Sequence, residues 1–154
     1  MHGDNQSDNI KTKLSININK IALVRNSRAG NYPDLVSHAR QIIEAGANGI
    51  TVHPRPDQRH IRVQDCLPLK QLCDEYGVEF NIEGNPFAGA MKSGRTDVSD
   101  YPGFMEIIRT IKPAQATLVP DGDAQLTSDH GFDLLKDGNR LEPLLAELKS
   151  LGVR

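Results

Sequence analysis

GITVHPRPDQRHI, residues 49–61, decides how this chain is read, because an apolar strand there runs directly into two histidines and two arginines. Ile50 and Val52 supply β-branched strand character, and Pro54 and Pro56 interrupt regular pairing. His53, Arg55, Arg59 and His60 are therefore left in a loop that faces water or a ligand. Cations gathered in this way make an anion the natural guest.

The same strand-then-helix rhythm extends to both sides. LSINI at 14–18 alternates apolar and polar residues; after a loop, Pro33 leads into Leu35, Ala39, Ile42 and Ile43 at helical spacing, closed by Gly46. The strand at 50–53 is followed by Leu69, Leu72, Cys73 and Tyr76, with Gly77 at the stop. Residues 78–82 form a third strand. A glycine-rich run at 84–103, best read as a solvated loop, leads to Phe104, Ile107, Ile108 and Ile111 on one helical face. A fourth strand is expected at 115–119. Leu141, Leu144, Leu145, Leu148 and Leu151 mark a last helix, and its Gly152 repeats the Gly46 and Gly77 stops.

Strands alternating with helices imply parallel pairing through right-handed crossovers, in an open doubly wound sheet or a segment of a (β/α)8 barrel. No GxGxxG follows the first strand, so dinucleotide binding lacks its sequence support. Polar residues instead follow every strand: Asn17 and Asn19, His53, Glu83, then Asp121. Barrel loops behave that way. A complete barrel takes about 250 residues, so the fold expected is α/β, with about the first four units of a TIM barrel at 13–154 and an apparent stop before strand 5. A half-barrel that closes by dimerising and a small open α/β domain are the alternatives.

Composition narrows the function classes. With 154 residues and 17.0 kDa the chain holds one core, and a net charge of -2 with pI near 6.2 gives no bulk signature of nucleic-acid or membrane binding. No apolar run reaches the roughly 20 residues of a membrane span, and residues 1–12, expected to be a flexible segment, lack a secretory hydrophobic core. The expected location is cytoplasmic. Cys66 and Cys73, seven apart in a helical segment, read as reduced structural thiols.

Five blocks together resemble the pyridoxine 5'-phosphate synthase family of vitamin B6 biosynthesis: SININKIALVRNSRAGNYPD at 15–34, GITVHPRPDQRHI at 49–61, EFNIEG at 79–84, LVPD at 118–121 and LTSDHGFD at 126–133. The resemblance implies a TIM barrel that condenses 1-deoxy-D-xylulose 5-phosphate with 3-amino-2-oxopropyl phosphate, releasing phosphate and water, in a homo-oligomer with no metal or organic cofactor. By position, His53 and Glu83 match the acid/base residues, while Asn17, Asn19, Arg28, Arg55, His60 and Thr127 match substrate or phosphate contacts. Many relatives carry Asp-His where this chain has Asn19 and Lys20.

Each assignment has a physical counterpart. An imidazole is near neutrality by type, and the C-terminal end of a strand is where barrel enzymes keep reacting groups. Glu83 follows Phe80 and Ile82, so partial desolvation would raise its pKa and couple it to His53 on the neighbouring strand. Guanidinium forks suit phosphate oxygens, which bears on Arg28, Arg55 and Arg59, although the family match gives Arg59 no role. Asn17 and Asn19 share one side of the first strand by period-two geometry. Thr127 is read as part of a short lid or substrate-facing loop, against a plain turn or helix-capping role; His38 and His130 read as surface residues. Two other functions compete: a sugar-phosphate binding module that has lost its chemistry, and a metal-dependent hydrolase using His53, Asp57, His60 and Glu83. The latter is disfavoured by Arg55 beside the histidine and by the lack of an HxH pair on the first strand.

Overall fold

The computed structural model describes residues 12–122 and 124–154, so nearly all of the expected N-terminal flexible segment lies outside the described residues. The elements run β1 (Ser15–Asn17), α1 (Asn19–Asn26), α2 (Leu35–Glu44), β2 (Gly49–Val52), α3 (Val63–Tyr76), β3 (Glu79–Gly84), α4 (Phe104–Ile111), β4 (Gln115–Leu118) and α5 (Leu134–Ser150). The four strands form one parallel sheet in the order β1-β2-β3-β4. The chain is thus α/β, with each strand beside its predecessor. Beyond the outer edge of β4, Arg154 N donates to Ala114 O at 3.2 Å and Ala116 N donates to Arg154 O at 2.8 Å, the pattern of a further parallel neighbour.

Side-chain alternation divides the sheet into two unlike faces. Ile18, Ile50, Val52, Phe80 and Ile82 are fully buried against Ala22 of α1, Leu35 and Ala39 of α2, Leu69 and Cys73 of α3, and Phe104 and Ile108 of α4. The other face is polar. Ser15 Oγ and Thr51 Oγ1 share a hydrogen bond at 2.8 Å, Asn81 Nδ2 donates to Thr51 Oγ1 at 3.3 Å, and Thr117 Oγ1 donates to Asn81 Oδ1 at 3.0 Å. This ladder crosses all four strands in the register that pairs Thr51 with Asn81.

Three local features differ from the sequence expectation. The segment after β1, expected to be loop, contains α1, started by Asn17 Oδ1 accepting from Asn19 N at 2.9 Å. Its helical period is hard to see because Leu23 and Val24 are exposed while the charged Arg25 is buried. The strand expected at 78–82 runs through Gly84, which places Glu83 within β3. Helix α5 begins at Leu134, well before the Leu141 repeat, with Leu134 and Leu135 exposed. The turns after the helices conform: Gly77 ends α3 in the left-handed region at φ 64°, a conformation that costs a residue with a side chain more.

Arg25 is 1% exposed and forms a bidentate pair with Asp65 at the start of α3, Nη1 to Oδ1 at 2.7 Å and Nη2 to Oδ2 at 2.9 Å. Its Nη2 also donates to the His60 carbonyl at 3.1 Å, and Asn26 Nδ2 donates to the same carbonyl at 2.8 Å. Helix α1 thereby grips the loop that follows β2. Burial pushes the Cys66 thiol up, and raises that of Cys73 to about 12, so both are protonated core residues without a disulfide. Among the described residues, no helix is long and apolar enough to cross a membrane.

Two substitutions test this packing. Asp65→Asn leaves a buried guanidinium without its counter-charge and is expected to lower unfolding free energy by about 3–5 kcal/mol; unchanged urea denaturation would show that the pair is dispensable. At Gly84 an added Cβ meets Phe104 Cδ2 at 2.3 Å. Phe104 is fully buried, so Gly84→Ala is expected to cost about 1–3 kcal/mol through overpacking, read from the same denaturation curves.

Candidate functional site

A cavity of about 270 Å³ opens where the polar face meets the C-terminal ends of the strands, lined by Asn17, Asn19, Lys20, His53, Arg55, His60, Glu83, Leu126, Thr127 and Ser128. Parallel strands deliver their final residues to one rim, which is why groups separated by more than a hundred positions meet. Seven of the eight residues singled out from the sequence wall this cavity. Arg28, just after α1, is exposed and does not line it.

The end of β1 and the start of α1 position His53 and Glu83. Asn19 Oδ1 accepts from His53 N at 2.9 Å, and Asn17 Nδ2 donates to Glu83 Oε2 at 3.3 Å. The two asparagines, expected as ligand contacts, therefore also hold His53 and Glu83 in place. His60 Nδ1 accepts from Ile61 N at 2.8 Å, which fixes its proton on Nε2 and makes the neutral ring a donor. The His53 and His60 rings are tilted, with centroids 6.2 Å apart.

Arg55 is 4% exposed, and its donors are largely committed within the protein. Nη1 donates to Asp121 Oδ2 at 3.2 Å, while Nη2 donates to Gly122 O at 3.0 Å and Gln125 O at 2.7 Å. Ser128 Oγ donates to the same Asp121 oxygen, so Arg55 and Asp121 fasten the loop that carries Thr127. Arg59, paired with Asp57 through Nε at 2.8 Å, adds a contact from Nη1 to Gln125 O at 3.3 Å.

Electrostatics depart from the sequence expectation at His53. Burial pulls its imidazole down from 6.5 to about 4, and nearby Arg55 and Arg59 act in the same direction against Asp121 and Asp57. His60 also falls to about 4, through burial first and then His53 and Arg55. Burial raises the Glu83 carboxyl, and the Asp121 charge adds to that rise. At neutral pH the cavity thus holds two uncharged imidazoles beside a carboxyl of raised proton affinity, with Lys20 and Arg55 in the same wall. Asp121 is the electrostatic neighbour of both His53 and Glu83, in place of the direct coupling anticipated between those two.

Sequence reasoning noted Asp121 as the polar group after the fourth strand without giving it a role, and it passed over Ser128 as a site residue. Their signal is positional: Asp121 closes LVPD and Ser128 closes LTS, both beyond the end of β4. Lys20 lines the cavity at the place where the chain departs from the Asp-His of many relatives. Among the described residues no group of three or more His, Cys, Asp or Glu is arranged to hold a metal ion.

The amino-acid sequence has counterparts among known proteins. A pyridoxine 5'-phosphate synthase of Xanthomonas campestris pv. campestris (strain B100) is 58% identical over 145 residues, covering 94% of this chain and 54% of that protein. The Xylella fastidiosa (strain 9a5c) pyridoxine 5'-phosphate synthase is 52% identical over 144 residues, covering 94% of this chain and 53% of its own length. The chain thus spans about half the length of the curated relatives it matches. The family model described as pyridoxal phosphate biosynthesis protein PdxJ matches residues 14–154. With nearly every described residue inside that match, this chain belongs to the PdxJ family.

Proposed function

We propose that this chain supplies the N-terminal catalytic half of a pyridoxine 5'-phosphate synthase, a transferase-type enzyme that condenses 1-deoxy-D-xylulose 5-phosphate with 3-amino-2-oxopropyl phosphate. The observation that carries this reading is the meeting of His53, Glu83, Arg55, His60, Asn17, Asn19 and Thr127 around one cavity. The enzyme works in the cytoplasm as a homo-oligomer, without an organic cofactor. Further strands complete the polar sheet face into a (β/α)8 barrel; the pairing of Arg154 beside β4 supports that continuation. A parallel sheet with one polar face is otherwise unusual, since such sheets are ordinarily covered on both sides.

The reaction joins an amine to a ketone, loses water to form an imine, shifts protons and expels phosphate, so it needs groups that both accept and donate protons. A neutral His53 is free to accept a proton from substrate. Glu83, with its raised affinity for a proton, returns one to a departing oxygen. His60, Lys20 and Thr127 offer donors to phosphate oxygens. Arg55 contributes its charge to the cavity while holding the Thr127 loop.

A phosphorylated ligand reverses the electrostatic balance at His53, because nearby negative charge favours the imidazolium. Inorganic phosphate added to the chain is expected to raise the His53 midpoint above its value of about 4, followed by NMR of the ring; an unmoved midpoint at saturating phosphate would remove the anion from this cavity. In the complete polypeptide, His53→Asn is expected to reduce phosphate release by about 10²–10⁴-fold while substrate affinity stays within about tenfold. Wild-type turnover would reject the role of His53. Substrate binding with no phosphate release by the unaltered polypeptide would favour a sugar-phosphate binding module, a reading to which Lys20 lends itself.

A further inference from the structure

We propose that Asp121 is the positioning residue for His53: its carboxylate holds the ring with the proton on Nδ1, leaving the Nε2 lone pair for the substrate. The inference rests on the acid/base role given above to His53, and it adds a residue that role does not include.

Four observations point the same way. His53 Nδ1 and Asp121 Oδ2 are 3.9 Å apart, with side chains 6% and 3% exposed. That spacing is beyond a direct hydrogen bond, and catalytic contacts of this kind tighten in the Michaelis complex. The second carboxylate oxygen, Oδ1, is buried with no hydrogen-bond partner among the described residues. An acceptor left unused at such a depth is costly, so the carboxylate has capacity for a further donor. A small void beside it, bounded by His53, Asn85, Tyr101 and Asp121, gives the ring and the carboxylate clearance to approach each other. Finally, Asp121 is itself held from two sides by Arg55 Nη1 and Ser128 Oγ, so its position is set before any ligand enters.

The nearest hydrogen bonds around His53 do not engage its ring. Asn19 takes the backbone N–H of His53 and leaves the imidazole untouched, and His60 uses its own Nδ1 on Ile61. The charged and titratable groups acting on His53 are Asp121 from the end of β4 and Asp57, Arg55, Arg59 and His60 from the loop after β2. Of these, the carboxylate facing Nδ1 is Asp121. When Nε2 takes a proton from substrate, the resulting imidazolium retains Nδ1–H toward the Asp121 carboxylate, which stabilises it.

Nitrogen-15 NMR of the imidazole at pH 7, on the chain without any substrate, separates this proposal from the functional reading, which the phosphate experiments test. The expected result is a majority Nδ1–H tautomer at His53 in the unaltered chain, shifting several-fold toward Nε2–H in Asp121→Asn. Ser128→Ala, which keeps the carboxylate, is expected to retain the Nδ1–H majority. A predominant Nε2–H form in the unaltered chain overturns the proposal even where the Asp121 variant fails to fold. An unchanged tautomer ratio in a folded Asp121→Asn variant overturns it equally.

Discussion

Period-two alternation along four parallel strands is the constraint on which everything else here depends. It sends Ile50, Val52, Phe80 and Ile82 toward the helices and Thr51, Asn81 and Glu83 to the opposite side, in one register. A slip of one residue in any strand would carry a carboxylate or an amide into the apolar layer and a branched aliphatic into the polar ladder. The penalty for that exchange is large on both faces, so register, core and site are specified together. Parallel direction adds the remaining condition, because it collects the reactive ends of the strands at a single rim.

Above the sheet, the site is assembled by groups that secure each other. Helix α1 reaches through Arg25 and Asn26 to the His60 carbonyl, and the loop after β2 reaches through Arg55 to the loop after β4. Loops are ordinarily the pliable part of an α/β protein. Here both are tied by charge-assisted bonds from buried guanidinium groups, which leaves the cavity walls defined in advance of a ligand. Preorganisation of that kind suits acid/base chemistry, which depends on proton donors and acceptors being placed within tenths of an ångström.

The elements that carried strong periodic patterns were legible in the sequence. Helices α2, α3 and α4 each present an apolar stripe to the sheet, and Gly46 and Gly77 marked the ends of the first two, whereas α4 ends at Lys112 in the left-handed region without a glycine. Helix α1 was not legible, because a buried arginine and two exposed aliphatics erase its period. His53 and Glu83 could be picked out because chemistry-bearing residues followed apolar strand runs. What the sequence could not give was the partner of Arg55: a guanidinium next to a histidine reads as an anion contact until Asp121, 66 positions later, is seen beside it. The low proton affinity of His53 was hidden for the same reason, since burial and the approach of Arg59 come from tertiary structure.

The two cysteines of α3 carry a consequence of their own. Cys66 and Cys73 point into the apolar layer two turns apart on the helix that follows the His53 loop, and burial keeps both as unreactive thiols. Any electrophile must therefore wait until α3 lifts from the sheet, and that movement would also pull Asp65 away from Arg25. The chain thus contains an intrinsic chemical timer for the departure of one helix, and its rate would register how firmly the rim of the cavity is fastened from beneath.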